Sequence, residues 1–119
     1  MKSTLFSVIA LLVAFQIHSQ NPISLKDSLE IMKVMKIQEI AWNNGDIDTF
    51  MEGYLKSEEL VFSGKSGPVY GWDNTKKRYH ISYPNTQVMG ELKFTVKKIR
   101  AVSLNSAFLI GEYYLKRTT

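Results

Sequence analysis

The sequence predicts an α+β fold, and three observations lead to it. A long apolar stripe at helical spacing ends in Trp42-Asn43-Asn44-Gly45-Asp46, a glycine turn that runs into the cap of a second helix. Strand-like segments follow this elbow: Leu60-Val61-Phe62-Ser63, then a longer one through Leu92, Phe94 and Val96, then Ala107 to Arg117. Both faces of the last segment are partly apolar, which suits a bent sheet wrapped around helices better than a flat one. The expected shape is a small α+β cone with a pocket.

The 119 residues suggest one domain, and the first nineteen are not expected to belong to it. Met1-Lys2 form a short positive start, Thr4 to Phe15 an apolar run, and Ser19 a small residue at a cleavage point. A membrane span needs about 20 apolar residues, so this run reads as a signal peptide. The mature chain is expected to begin near Gln20 and to be periplasmic or secreted, free of the membrane once the signal is removed. A domain of its size buries about 60–70% of the surface its unfolded chain exposes, enough for one core. There is no Cys, which excludes disulfides, thiolate metal sites and Cys nucleophiles. Charge is uneven: residues 20–70 hold five basic and eight acidic side chains, residues 71–119 nine and three. With no nucleic-acid recognition motif beside it, the basic half reads as the solvated face of a sheet.

The first helix is expected from Leu25 to Asn43, with Ser24 as its cap and Asp27 in its first turn. Ile31, Val34, Met35, Gln38, Ala41 and Trp42 form its stripe, with Lys33, Lys36 and Glu39 away from it. Gln38 interrupts an apolar face, and a buried amide needs partners; it either ties down backbone or lines a wet cavity. Gly45 suits a left-handed helix end, and Asp46 caps the next helix through Thr49 rather than acting as a catalytic carboxylate. Gly64 to Pro68 make a hairpin turn, and Val69-Tyr70 return as its second arm. Asp73 is expected to cap a third helix over Asn74 to Ser82, stopped by Pro84. Trp72, Thr75, Lys76, Tyr79 and Tyr83 share a face of it. In the first long strand the alternation slips near Lys97-Lys98, the pattern of a β-bulge. Asn105-Ser106 make the next turn, and Gly111 marks a bend in the last strand. That strand is expected to be left open at its edge, which points to an incomplete domain or a partner.

Several chemistries are excluded by count. Gly64-Lys65-Ser66 mimics the end of a phosphate-binding loop, but Glu59 stands where the first glycine belongs. His80 is the one histidine beyond the signal segment, so neither a zinc cluster nor a triad is expected. The remaining signal is aromatic: Trp42, Tyr54, Phe62, Trp72, Tyr79 and Tyr83 are spread over the helices and the first strand. Converging with Gln38 inside a concave sheet, they would make a mostly apolar pocket with a few oriented polar groups.

The Trp42-Asn43-Asn44-Gly45-Asp46 elbow, the helix ending near Tyr54, the short hairpin, the Gly71-Trp72-Asp73 helix with Tyr83-Pro84, and the long strands resemble the nuclear transport factor 2-like superfamily. Within it the resemblance is to small exported SnoaL-like proteins of unassigned function, over roughly Met35 to Leu115. It implies a cone of three helices in the N-terminal half packed on a strongly curved antiparallel sheet, often dimeric through that sheet. It also implies a further pair of strands, so residues 20–119 are expected to be a single domain lacking its last two strands. Superfamily members include isomerases, cyclases, hydrolases and plain binding domains, so fold alone does not give function. The expectation is a ligand-binding domain for a small apolar or amphipathic molecule, with no catalytic set, cofactor or metal. Gln38, Trp42, Tyr54, Trp72, Tyr79 and Glu112 are the expected ligand-binding residues. The alternatives are an isomerase- or cyclase-like enzyme using carboxylate and tyrosine, and a homodimerising module without ligand.

Overall fold

The computed structural model describes residues 22–118; the expected signal segment lies outside the described residues. Helix α1 spans Leu25–Asn43, and the Ser24 hydroxyl accepts a hydrogen bond from the Asp27 amide at 3.0 Å. Only the last turns of its stripe are deeply buried, at Gln38, Ala41 and Trp42. Ile31 and Met35 are half-buried and Val34 is exposed, because the elements packed on α1 reach mainly its C-terminal end.

The elbow closes as a Schellman motif. Gly45, at φ 73°, donates to the Trp42 carbonyl, and Asp46 donates to the Ala41 carbonyl at 2.8 Å. Asp46 then caps α2, Ile47–Met51: its carboxylate accepts from the Thr49 amide at 2.9 Å and from the Thr49 hydroxyl at 2.6 Å. The cap role read from sequence is what the structure shows.

Strands β1, Val61–Gly64, and β2, Gly67–Tyr70, form an antiparallel hairpin with Lys65-Ser66 at its turn. Helix α3 spans Trp72–Ser82 and starts earlier than expected. Gly71 is its N-cap, and the Gly71 carbonyl accepts both the amide and the hydroxyl of Thr75; Asp73 lies inside the first turn instead. A one-turn helix α4, Thr86–Met89, was not anticipated, being too short to show a period; the Asn85 side chain caps it through the Val88 amide. Strands β3, Glu91–Ser103, and β4, Ser106–Lys116, form a second antiparallel hairpin. Its register slips between Val96↔Gly111 and Lys98↔Ile110, leaving Lys97 as the bulge residue, as the slipped alternation predicts. The turn falls on Leu104-Asn105, one residue before the expected position. The α+β class, with helices toward the N-terminus and antiparallel pairing, is as predicted.

The core gathers Trp42, Ile47, Phe50, Met51, Met89 and Leu92 at the elbow. Two side chains of α1 also serve the outer edge of β3. Asn43 donates to the Leu92 carbonyl at 3.0 Å and accepts from the Leu92 amide at 2.6 Å; the Glu39 carboxylate accepts from the Phe94 amide at 2.8 Å. These bonds satisfy strand groups that β4, on the other side, cannot reach.

Glu39 therefore gives the domain an acid-sensitive tie. Its hydrogen bond with Lys36, and then that with the Phe94 amide, hold its carboxyl below the ordinary value. A folded pKa below the unfolded one means that this stabilisation is complete above about pH 4 and fades as pH falls through the folded value. Glu39→Ala is expected to cost about 1–3 kcal/mol at neutral pH, since it leaves the Phe94 amide unpaired. Urea titrations should show the deficit narrowing below about pH 4; a deficit independent of pH would contradict the tie.

Candidate functional site

A cleft of about 540 Å³ opens between the helices and the two hairpins. Its floor is aromatic. Trp42 comes from α1, Phe50 from α2, Tyr54 from the turn after it, and Phe62 from β1. Helix α3 and its C-cap residue Tyr83 supply one continuous stripe, Thr75, Arg78, Tyr79, Ser82 and Tyr83, at the three- and four-residue spacing that puts side chains on one face. Leu92 and Phe94 of β3 and Tyr113 and Leu115 of β4 close the far wall, and the hairpin turn from Ser63 to Gly67 borders the opening.

The rings contact one another mainly edge to face. Trp42 meets Phe50 at 5.1 Å and Tyr83 at 4.9 Å between centroids, and Tyr79 meets Phe50 at 5.3 Å and Phe62 at 5.5 Å. Each such pair adds about 0.5–1.5 kcal/mol beyond area burial, so the rings of the floor hold one another as well as supplying apolar surface. The indole N–H of Trp42 is spent on the Met89 and Gly90 carbonyls at 3.3 and 3.2 Å, leaving only ring surface for the cleft. The Tyr54 and Tyr79 hydroxyls lie beside one another. Burial pushes the Tyr54 pKa up, and burial followed by the neighbouring Tyr54 pushes Tyr79 far up, so both remain neutral hydrogen-bonding groups.

Of the six residues expected to line the site, the structure brings Trp42, Tyr54 and Tyr79 together there. Gln38, Trp72 and Glu112 lie elsewhere. The Gln38 amide donates to the Phe50 carbonyl at 3.1 Å and is buried behind the elbow, where it is the backbone tie rather than a cavity wall. It packs so closely on Gly53 that a Cβ there would meet its side chain at 2.5–2.8 Å. Gly53→Ala is therefore expected to destabilise the fold by about 1–3 kcal/mol in denaturant titration, and Gln38→Ala in the same background should recover part of that loss.

Trp72 donates its indole N–H to the Met51 carbonyl at 2.9 Å, and the ammonium groups of Lys56 and Lys76 lie over its ring, 5.2 and 5.1 Å from the centroid. It borders a separate surface depression with Tyr70 and Lys56. Glu112 pairs with Thr95, and strand alternation puts it on the face opposite Tyr113 and Leu115, 3.8 Å from Lys97. His80 is on the outer surface, as expected, accompanied by a partner not anticipated: its Nε2 lies 2.8 Å from Asp48 Oδ1, with Lys76 Nζ at 3.1 Å. His80 and then Lys76 hold the Asp48 carboxyl below its usual range.

Phe50, Arg78, Ser82, Lys65 and Tyr113 border the cleft without having been singled out from sequence. Arg78 and Ser82 were readable from their spacing with Tyr79 and Tyr83. Lys65 and Tyr113 depend on how the two hairpins fold against α3, for which local pattern holds no signal.

No protein-family model matches the chain, and no curated protein does. A solved structure does: an NTF-2-like protein of unknown function from Shewanella oneidensis, 39% identical. The match covers 77% of this chain and 76% of that one, with a TM-score of 0.74. At that identity and coverage, with the elbow, hairpins and cleft already described, the chain belongs to the NTF-2-like family.

Proposed function

We propose that the protein is an exported domain that binds a small apolar or amphipathic molecule in the aromatic cleft. The observation that carries this reading is the lining itself: mutually packed rings, two neutral tyrosine hydroxyls, and a volume of about 540 Å³, within the range that encloses ring-sized ligands. The isomerase- or cyclase-like alternative needs a carboxylate as general base, and none borders the cleft among the described residues.

Two neighbours on β4 give the test. Tyr113 borders the cleft, whereas Tyr114, the next residue, lies on the other face. Calorimetric titration with 2-naphthylmethanol is expected to show saturable binding that Tyr113→Ala weakens about tenfold and Tyr114→Ala leaves unchanged. Equal effects from the two variants would put the binding surface elsewhere. Export rests on residues 1–19, and N-terminal mass analysis of the protein from its host should then find a mature start near Gln20.

A homodimer is the second reading, and it has an observation of its own. Val102, Leu104 and Ile110, at the distal end of the β3–β4 hairpin, are exposed, Leu104 at 96%. A second copy would cover them. Sedimentation equilibrium tests this, since a strict monomer at high concentration removes the reading.

A further inference from the structure

We infer that the ligand of the cleft is an anion, a carboxylate on a ring-sized apolar body, with the carboxylate held at the rim by Lys65 and Arg78. This deepens the proposed function and rests on it. Lys65 stands at the β1–β2 turn and Arg78 on the α3 stripe, both solvent-exposed and both bordering the same cleft. Among the described residues, no Asp or Glu borders it with them. Among the described residues, the ion pairs of the molecule are made by Lys36, Lys56, Lys76, Lys97 and His80, and neither Lys65 nor Arg78 takes part in one.

Uncompensated positive charge at the mouth of a low-dielectric cavity attracts and orients anions. A guanidinium offers a carboxylate two parallel hydrogen bonds, and the ammonium adds a point charge from the opposite element. The hydroxyls of Ser66 beside Lys65 and of Ser82 one turn beyond Arg78 supply neutral donors to the same rim. The interior has no charge to offer, because Tyr54 and Tyr79 stay protonated, so the anionic end belongs at the rim and the apolar body on the rings. A cationic ligand would match only the rings and hydroxyls of this surface.

Three probes of similar shape separate the possibilities: 2-naphthoate, 2-naphthylmethanol and 2-naphthylmethylammonium, each titrated calorimetrically into the protein at low and high salt. The expected order is naphthoate about tenfold tighter than the alcohol, with the ammonium weakest, and the naphthoate advantage shrinking as salt rises. In the Lys65→Ala, Arg78→Ala double variant, naphthoate and alcohol should bind alike. Both side chains are exposed, so the variant is expected to fold, and circular dichroism verifies that. Alcohol and acid binding equally in the wild type would overturn the inference and leave the proposed function standing. A naphthoate preference that survives in the double variant would overturn it too, since other groups would then read the charge. Binding of none of the three removes both this inference and the proposed function.

Discussion

Trp42→Ala is expected to destabilise the domain by about 3–5 kcal/mol, the range for removing a large aromatic side chain from a core. Trp42 is 4% exposed and touches three other rings, Phe50, Tyr79 and Tyr83. Its indole N–H also serves two carbonyls, at Met89 and Gly90, so the substitution removes packing and leaves acceptors unpaired at once. For a domain near 100 residues, where stability is about 5–15 kcal/mol in total and each kcal/mol shifts Tm by about 4–8 °C, the melting point should fall by tens of degrees. Trp42→Phe separates the two contributions. It keeps a ring against Phe50 and Tyr83 and loses the donor, so about 1–3 kcal/mol of the loss should remain. Urea unfolding measures both, with the slope unchanged if only the native state is affected. A loss under about 1 kcal/mol for the alanine variant would mean that the elbow does not rest on this residue.

The same residue shows what the sequence reveals and what it withholds. Helix α1 from Leu25 to Asn43, the glycine turn, the Asp46 cap and the Lys97 bulge were legible because each depends on a pattern contained within one continuous stretch of sequence. Burial of Trp42 was legible from the stripe. What the stripe cannot say is which part of a half-buried helix another element covers. Val34 has the right spacing and is exposed, while Glu39, off the stripe, reaches the Phe94 amide. Gln38 and Trp72 illustrate the same limit for the site. An amide or indole on an apolar face needs a partner, and here backbone carbonyls at Phe50 and Met51 supply it, turning both side chains away from the cleft. Glu112 depended on a strand face that only the paired register assigns. The acidic half of the chain likewise supplies Asp48 as partner to Lys76 and His80, a connection between α2 and α3 that sequence spacing does not encode. The cleft's charge was hidden for the same reason: Lys65 and Arg78 are separated in sequence by β2 and the first part of α3, and border one cleft only when the hairpin folds against α3.

Gly90→Ala is expected to cost about 2–5 kcal/mol, the combined range for a residue forced into a glycine-only conformation and for overpacking against backbone. Gly90 ends α4 at φ 71° and ψ 179°, a region that residues with a Cβ rarely enter. A Cβ there would also stand 2.8 Å from the Lys116 carbonyl oxygen and 2.8 Å from Arg117 Cγ, where β4 passes the start of β3. Backbone on one side cannot give way without shifting the strand pair, and on the other side the Gly90 carbonyl is held by Trp42. Gly67, at φ 94°, is the matched control: nothing lies within 4 Å of its Cβ position, so Gly67→Ala should show the conformational cost of about 1–2 kcal/mol without the clash. Because Leu92 and Leu115 border the cleft a few residues away, Gly90→Ala should also weaken naphthoate binding. Equal stability losses for the two alanines, measured by urea unfolding, would mean that the close approach of β4 to the α4–β3 joint adds nothing to the fold.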